Sequence, residues 1–274
     1  MELGKIGRQV RDALTGTIRG AGDVVGTTME VTRQNVVGAL RAARDVVTES
    51  AGLAADTVSG AIQAASQTGT ELGSATKGAV IGTIKGVGEV TTVTITAVSD
   101  IVRAAVKGGS DVGGDVNQVA RSAAEGAIST TKTVTMSLQD MIVAIPRGAI
   151  KGAAEVGADL GLVAKGTVQG VVRGASETGA DVIQAVQGTS RETVKATAEV
   201  GGDLASVARN AVVGAIDGAR QIGVSAEEAA SAAATGAIEA AEDIGGAAAS
   251  AVRNAATGTI EGVKVVAKAP FAKK

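Results

Sequence analysis

The sequence predicts an all-α protein built from twelve 22-residue repeats, and three observations support this prediction. Glycine and aliphatic residues recur at a fixed spacing along the whole chain. Apolar residues fall on one side of a helical wheel, and the odd–even alternation that is typical of strands is missing. Unbroken self-similarity of this kind indicates a repeat architecture and not a globular enzyme.

The repeat is visible in twelve positions that follow one another at a constant interval, which we call the 22-residue series. Ten of the twelve positions are glycine. The series is Gly16, Gly38, Gly60, Gly82, Ala104, Gly126, Gly148, Gly170, Glu192, Gly214, Gly236 and Gly258. Two positions after each member comes a large aliphatic residue, and we call these residues the aliphatic ridge. The ridge consists of Ile18, Leu40, Ile62, Ile84, Val106, Ile128, Ile150, Val172, Val194, Ile216, Ile238 and Ile260.

The 22-residue period is two hendecads, which fits a nearly straight helix with about 3.67 residues per turn. At that period the six mainly apolar places of each hendecad form one arc of roughly half the wheel. We therefore expect a very long, nearly straight amphipathic helix. The alternative is a β-solenoid with 22-residue coils, which the β-branched segment 89–102 favours.

In chain order, we expect an N-terminal lead-in at 1–13, a continuous helical region at 14–267 and a basic tail at 268–274. The tail, KAPFAKK, contains Pro270, which is expected to end the helical structure. Pro146 lies inside the helical region, where it removes a backbone donor. We expect a kink there, or a turn that folds the chain into a helical hairpin.

The 39 glycines imply that this helix needs a partner. Each glycine costs roughly 1 kcal/mol relative to alanine inside a helix, and burial of the apolar arc against other helices or lipid would offset that cost. Pairs of glycines four residues apart also let helix backbones approach closely. The predicted close-packing residues are Gly82, Gly86, Gly148, Gly152, Gly214 and Gly218.

Charged residues border the apolar arc on both sides. The basic edge consists of Arg33, Arg44, Lys77, Arg121, Lys165, Arg209, Arg220 and Arg253. The acidic edge consists of Glu49, Glu71, Asp115, Asp159, Asp181 and Asp203. A helix with one edge of each sign can pair side by side with copies of itself, and such heterologous contacts generate rings, tubes or filaments. The other interpretation is a solvated polar face with local ion pairs.

The composition excludes most catalytic chemistry, because the chain has no Cys, His, Trp or Tyr and only one Phe. We expect no catalytic residues, no cofactor and no metal site. A formal net charge of −2 gives no reason to expect a nucleic-acid partner. No uncharged stretch is long enough to span a bilayer, and the N-terminus does not resemble a signal peptide. We expect the protein to be cytoplasmic, either free or at a lipid or membrane surface.

The segments GTVQGVVRGASETGADV (166–182) and GAIEAAEDIGGAA (236–248) resemble the 11-residue amphipathic repeats of perilipins and synucleins. The resemblance is one of pattern and composition and extends over nearly the whole chain. It implies a chain that is disordered when free and helical on a lipid droplet or membrane. The present sequence differs in its strict 22-residue doubling and in having few lysines.

These features lead to three functional hypotheses. The first is a non-enzymatic structural protein that self-assembles side by side through its small-residue face into a filament, tube or coat, with lipid associated. The second is a monomeric, surfactant-like coat of lipid droplets or membranes, although such helices usually carry more large apolar anchors. The third and least favoured is a desiccation protectant, a class that is normally more highly charged.

Overall fold

A computed structural model of the chain describes residues 3–18, 22–42 and 46–267, with the side chains of 46–51 left out. The described residues form twelve α-helices and one short β-hairpin. The helices are α1 (Lys5–Thr17), α2 (Val24–Ala42), α3 (Val46–Thr68), α4 (Leu72–Val90), α5 (Ile95–Asp111), α6 (Val116–Ser129), α7 (Leu138–Glu155), α8 (Leu160–Thr178), α9 (Val182–Glu199), α10 (Leu204–Ile222), α11 (Ala226–Ile244) and α12 (Gly246–Ala256). A 3₁₀ turn, Thr130–Lys132, follows α6, and the antiparallel strands β1 (Gly258–Ile260) and β2 (Val263–Val265) follow α12.

The all-α prediction is confirmed, but the expectation of one very long straight helix is wrong. Each 22-residue repeat makes one helix and one turn, and the helices pack on one another. The β-solenoid alternative is also wrong, since β1 and β2 are the only strands in the part of the chain that the structure describes. The β-branched segment 89–102 contains the end of α4 and the beginning of α5.

A Gly-x-Asp sequence makes four of the turns between the described helices. Gly179 ends α8 with a left-handed backbone (φ 70°), which glycine adopts without the steric cost of a Cβ. Two residues later, the Asp181 side chain accepts a hydrogen bond from the Gln184 N–H and begins α9. The same arrangement recurs at the spacing of the repeat, at Gly113 and Asp115, Gly157 and Asp159, and Gly201 and Asp203.

The helices form two layers, because the most extensive contacts join helices that are two apart in the chain. The odd layer contains α1, α3, α5, α7, α9 and α11, and the even layer contains α2, α4, α6, α8, α10 and α12. Neighbours within a layer run parallel: Gly148 and Gly152 of α7 approach the carbonyls of Ser99 and Arg103 of α5 in the same order. Consecutive helices join the layers through short turns, so the apolar core lies between and within the layers.

Pro146 does not interrupt the helix in which it lies, contrary to the expectation from the sequence. It is buried inside α7, which continues on both sides of it as one helix, so the prediction of a hairpin bend there is wrong. The proline removes one N–H donor from the helix, but α7 is held by α5 and α9 on either side. The chain reverses instead at the turns, and in six of those between described helices a left-handed glycine lies two residues before a capping side chain.

The two ends of the stack differ. At the N-terminal end of the described chain, α1 packs on α3 and α2 packs on α4, and α1 already begins within the segment expected as a lead-in. At the C-terminal end, β2 packs against α11, and Ile260 and Val265 of the hairpin are buried. The tail 268–274, with Pro270, lies outside the described residues.

Candidate functional site

The aliphatic ridge lies in the interior of the folded chain. All twelve ridge residues are buried, and the most exposed of them, Ile238, is only 3% accessible. They belong to the core, together with the alanines and valines beside them. The partner that the sequence demands for its apolar arc is therefore the rest of the same chain, and in this state the ridge offers no face to lipid or to another copy.

The predicted close-packing glycines lie where helices of one layer touch. A Cβ added at Gly152 would lie 2.7 Å from the Arg103 carbonyl oxygen, and one at Gly218 would lie 2.9 Å from the Val172 Cβ. Such a distance is too short for ordinary packing, so the absence of a side chain lets the backbones approach. The other four contact the previous helix of the same layer in the same way. Gly82 lies against Met29, Gly86 against Arg33 and Val36, Gly148 against Ser99, and Gly214 against Lys165.

The acidic edge has a local role in the folded chain. Five of its six residues are N-caps, namely Glu71, Asp115, Asp159, Asp181 and Asp203. The side chain of the sixth, Glu49, lies outside the described residues. Each of the five carboxylates accepts a backbone N–H that would otherwise lack a partner in the first helical turn. A glycine two residues before each of these five acidic residues is the sequence signal that identifies the caps, and the hendecad wheel alone does not assign that role.

The hydrogen bonds of the cap stabilise the ionised form of the Glu71 carboxylate. Burial raises the pKa of Glu71, but hydrogen bonds from Ser74 and Gly73 outweigh burial, so its pKa is lowered overall. Gln118 of α6 also donates to Glu71, over 2.7 Å, and thereby connects two helices of the even layer. Because the folded pKa is below the unfolded one, this stabilising contribution is present near neutral pH and is lost as the pH falls through the folded pKa.

The basic edge is used mainly within the chain. Arg33 pairs with Glu89 over 2.7 Å, Lys165 pairs with Asp217 over 2.8 Å, and Arg253 pairs with Glu242 over 3.0 Å. Arg220 donates to the Glu261 carbonyl in the hairpin. Arg209 is exposed and, like Arg121, has no ion pair among the described residues, while Arg44 lies outside them.

A cluster of ion pairs around one buried carboxylate joins three helices of the even layer. The Glu125 carboxylate of α6, whose side chain is 6% exposed, lies 2.6 Å from the Lys77 Nζ of α4 and 3.5 Å from the Arg173 Nε of α8. Lys77 also contacts Glu177 over 3.2 Å. Burial lowers the pKa of Lys77, but the two glutamates outweigh it and raise the pKa overall. Only the tertiary fold brings these residues together, since they lie far apart in the chain. Glu125 belongs to neither of the two edges predicted from the sequence.

The described residues contain no group of three acidic side chains arranged to hold a metal ion. Within the same part of the chain, every helix is too short or too polar to cross a membrane. Comparison of the sequence with known protein families and with curated proteins finds no match. The function must therefore be argued from the geometry of the chain itself.

Proposed function

We propose that this chain is a non-enzymatic structural protein that stores amphipathic helices in a folded stack and opens onto a lipid surface. The observation that supports this proposal is the repeat length. A two-layer stack needs repeats of constant length, but that length need not be a whole number of helical turns. Two hendecads make six turns at about 3.67 residues per turn, so the ridge stays on one line if the turns become helical. The chain thus encodes a second, continuous amphipathic state.

The turns make the conversion geometrically simple. Gly179 needs to rotate from left-handed to right-handed helical angles, which glycine does at low cost, and Asp181 needs to release one N–H. The opened ridge would then exchange contacts with its own chain for contacts with lipid. Because both states bury the apolar arc, the free-energy difference between them is smaller than the cost of exposing the arc to water.

The composition of the core favours such an exchange. It is built largely from alanine and valine, and the side chains that pack between helices are small. Five buried hydroxyls have no hydrogen-bond partner among the described residues. They belong to Thr28, Thr76, Thr83, Thr189 and Ser190. Each such group costs about 1–3 kcal/mol in a folded interior, which lowers the stability of the closed state.

A distance measurement tests the proposal directly. Arg191 and Asp243 form an exposed ion pair of 3.4 Å between α9 and α11, and the chain has no native cysteine. With both replaced by cysteine and spin-labelled, we expect a separation below about 25 Å in buffer. In one continuous helix the 52 intervening steps would span about 78 Å. We therefore expect the long distance on phosphatidylcholine vesicles or triolein droplets.

A pair within one helix provides the matched control. Arg209 and Arg220 both lie in α10, eleven residues and about 16 Å apart, and their labelled cysteine variants should give the same distance in both states. A short Arg191–Asp243 distance in vesicle-bound protein, or no binding to either lipid, would contradict the proposal.

Side-by-side self-assembly, which the sequence also predicts, would need the same opened ridge because the ridge is buried in the folded chain. If the long distance develops without lipid, and electron micrographs then show ordered filaments or tubes, assembly replaces lipid coating as the function. Lipid coating and self-assembly can be distinguished experimentally: opening depends on lipid in the first case and on protein concentration in the second.

A further inference from the structure

A polar pocket of about 330 Å³ lies in the even layer, where α6, α8 and α10 meet. Two basic side chains line it, Arg121 and Lys165, and so do two acidic ones, Asp115 and Asp217. The other lining residues carry side-chain amides, so the pocket has hydrogen-bonding groups on all sides and no excess charge of either sign. Lys165 and Asp217 already pair with each other over 2.8 Å.

Arg121 lacks the acidic partner that other basic residues of the even layer have. Lys77 of α4 pairs with Glu125 of α6, and two repeats later the equivalent residues are Arg121 of α6 and Gln169 of α8. An amide stands here in place of the carboxylate. Arg121 is half-buried and forms no ion pair or hydrogen bond among the described residues. Its charge acts on Glu71, but the two residues form no ion pair.

Gln169 gives a second, independent indication of a ligand. It lines the pocket and is only 5% exposed, and its side-chain amide has no hydrogen-bond partner in the described part of the chain. Gly170 lies against the Arg121 carbonyl as Gly126 lies against the Lys77 carbonyl, so the helix backbones approach in the same way at both places. A buried amide without a partner destabilises the fold, and a bound molecule that hydrogen-bonds to it removes that penalty.

The free groups of the pocket define the class of ligand. A guanidinium binds a carboxylate through two parallel hydrogen bonds, and the Arg121 guanidinium is unpaired. Asp115 accepts the N–H groups of Asn117 and Gln118 through Oδ1 alone, so its Oδ2 can accept from an ammonium group. A doubly charged anion is disfavoured, because Asp115 and Asp217 both line the pocket.

We propose that this pocket binds a small zwitterion, an α-amino acid with a short polar side chain. Its carboxylate is held by Arg121 and Gln169, and its ammonium group lies beside Asp115. The ligand carboxylate thus supplies the charge that Glu125 supplies to Lys77 in the equivalent place. This inference concerns the folded chain and does not depend on the proposed lipid function.

Titration of the intact chain with L-serine, followed by saturation-transfer difference NMR in the absence of lipid, tests the site. We expect saturable binding. N-acetyl-L-serine keeps the carboxylate but has no ammonium group, and it should bind about threefold more weakly, since Asp115 is exposed. Arg121→Gln removes the charged donor and should weaken L-serine binding at least about tenfold.

Gln169→Glu provides a variant that should lose binding without losing stability. The new carboxylate would pair with Arg121 as Glu125 pairs with Lys77, so we expect no L-serine binding and a higher Tm. The matched control is Arg209→Gln. Arg209 is the equivalent basic residue of α10, is exposed and does not line the pocket, so its replacement should leave binding unchanged.

Four results would overturn the inference. No saturable L-serine binding by the folded chain would refute the site. Binding that survives both Arg121→Gln and Gln169→Glu would place the ligand elsewhere. N-acetyl-L-serine that binds as tightly as L-serine would exclude the amino-acid class. A lower Tm for Gln169→Glu would contradict the pairing of position 169 with Arg121. Far-UV circular dichroism checks that each variant keeps its helices, and none of these results bears on opening by lipid.

Discussion

Gly148 and Gly38 occupy equivalent positions in the 22-residue series, yet their surroundings differ completely. Gly148 of α7 lies against the Ser99 carbonyl of α5 so closely that a side chain has no room. Gly38 of α2 is exposed and has nothing within 4 Å of where a Cβ would point, since α2 is the first helix of the even layer in the described part of the chain. Equivalent sequence positions therefore acquire different roles from their place in the stack.

The residues around these glycines show the same contrast. In α4, Gly78 is buried against Val25 and Thr28 of α2, and the next residue, Ala79, is also buried. The equivalent residues of α2 are Gln34, which is exposed, and Asn35, which is half-buried. In a repeat protein, a helix face that no other repeat covers needs polar side chains. The first described helix of the even layer has polar side chains at these positions, whereas β2 of the hairpin packs against α11, the last described helix of the odd layer.

The largest effect is expected from Gly148→Ala. The new methyl group would clash with the Ser99 carbonyl, and we expect a loss of about 2–3 kcal/mol in the free energy of unfolding despite the better helix propensity of alanine. Gly38→Ala is the matched control and should stabilise the chain by about 0.5–1 kcal/mol. Urea denaturation followed by circular dichroism measures both. Equal effects at the two sites would refute the difference between interior and end.

A second, smaller contrast concerns ion pairs. Glu125→Gln should cost about 1–2 kcal/mol, because the Glu125 carboxylate is buried and the half-buried Lys77 loses its nearest charged partner. The control, Glu242→Gln, removes the exposed partner of Arg253 near the C-terminal end and should cost at most about 0.5 kcal/mol. Chemical denaturation at low and high salt would check this pair. An equal loss in both variants would mean that burial does not distinguish the two sites.

The smallest contrast is expected at the helix caps, since a cap acts locally. Asp159 caps α8 in the interior, and Asp23 accepts from the Gly26 N–H in the first turn of α2. Asp159→Ala and Asp23→Ala should each cost about 1 kcal/mol in global unfolding. Hydrogen exchange resolved along the chain measures the free energy of opening of each helix separately. A much smaller global loss for Asp23→Ala would show that the N-terminal helices unfold before the rest.

The turn signals mark the limit of the sequence analysis. Gly157 and Asp159 carry a readable helix stop and start, and the same pair recurs at the spacing of the repeat. The hendecad wheel instead predicts an edge position for the acidic residue, because it places that residue beside the apolar arc whether or not the helix continues. Glu125 could not have been identified in this way, since its partners Lys77 and Arg173 are 48 residues away in each direction.

The sequence by itself determined the helical class, the 22-residue period and the need of Ile150 and its equivalents for an apolar partner. It also determined that glycine would lie where helices approach. Only the tertiary structure decided that the partner is the same chain, two helices earlier. The physical reason is that 22 residues make a whole number of turns in a continuous helix and also suffice for one helix with its turn, so the local pattern is compatible with both a straight helix and a folded stack. The difference in free energy between them comes from contacts between residues far apart in the chain, such as Gly148 with Ser99, which no local pattern specifies.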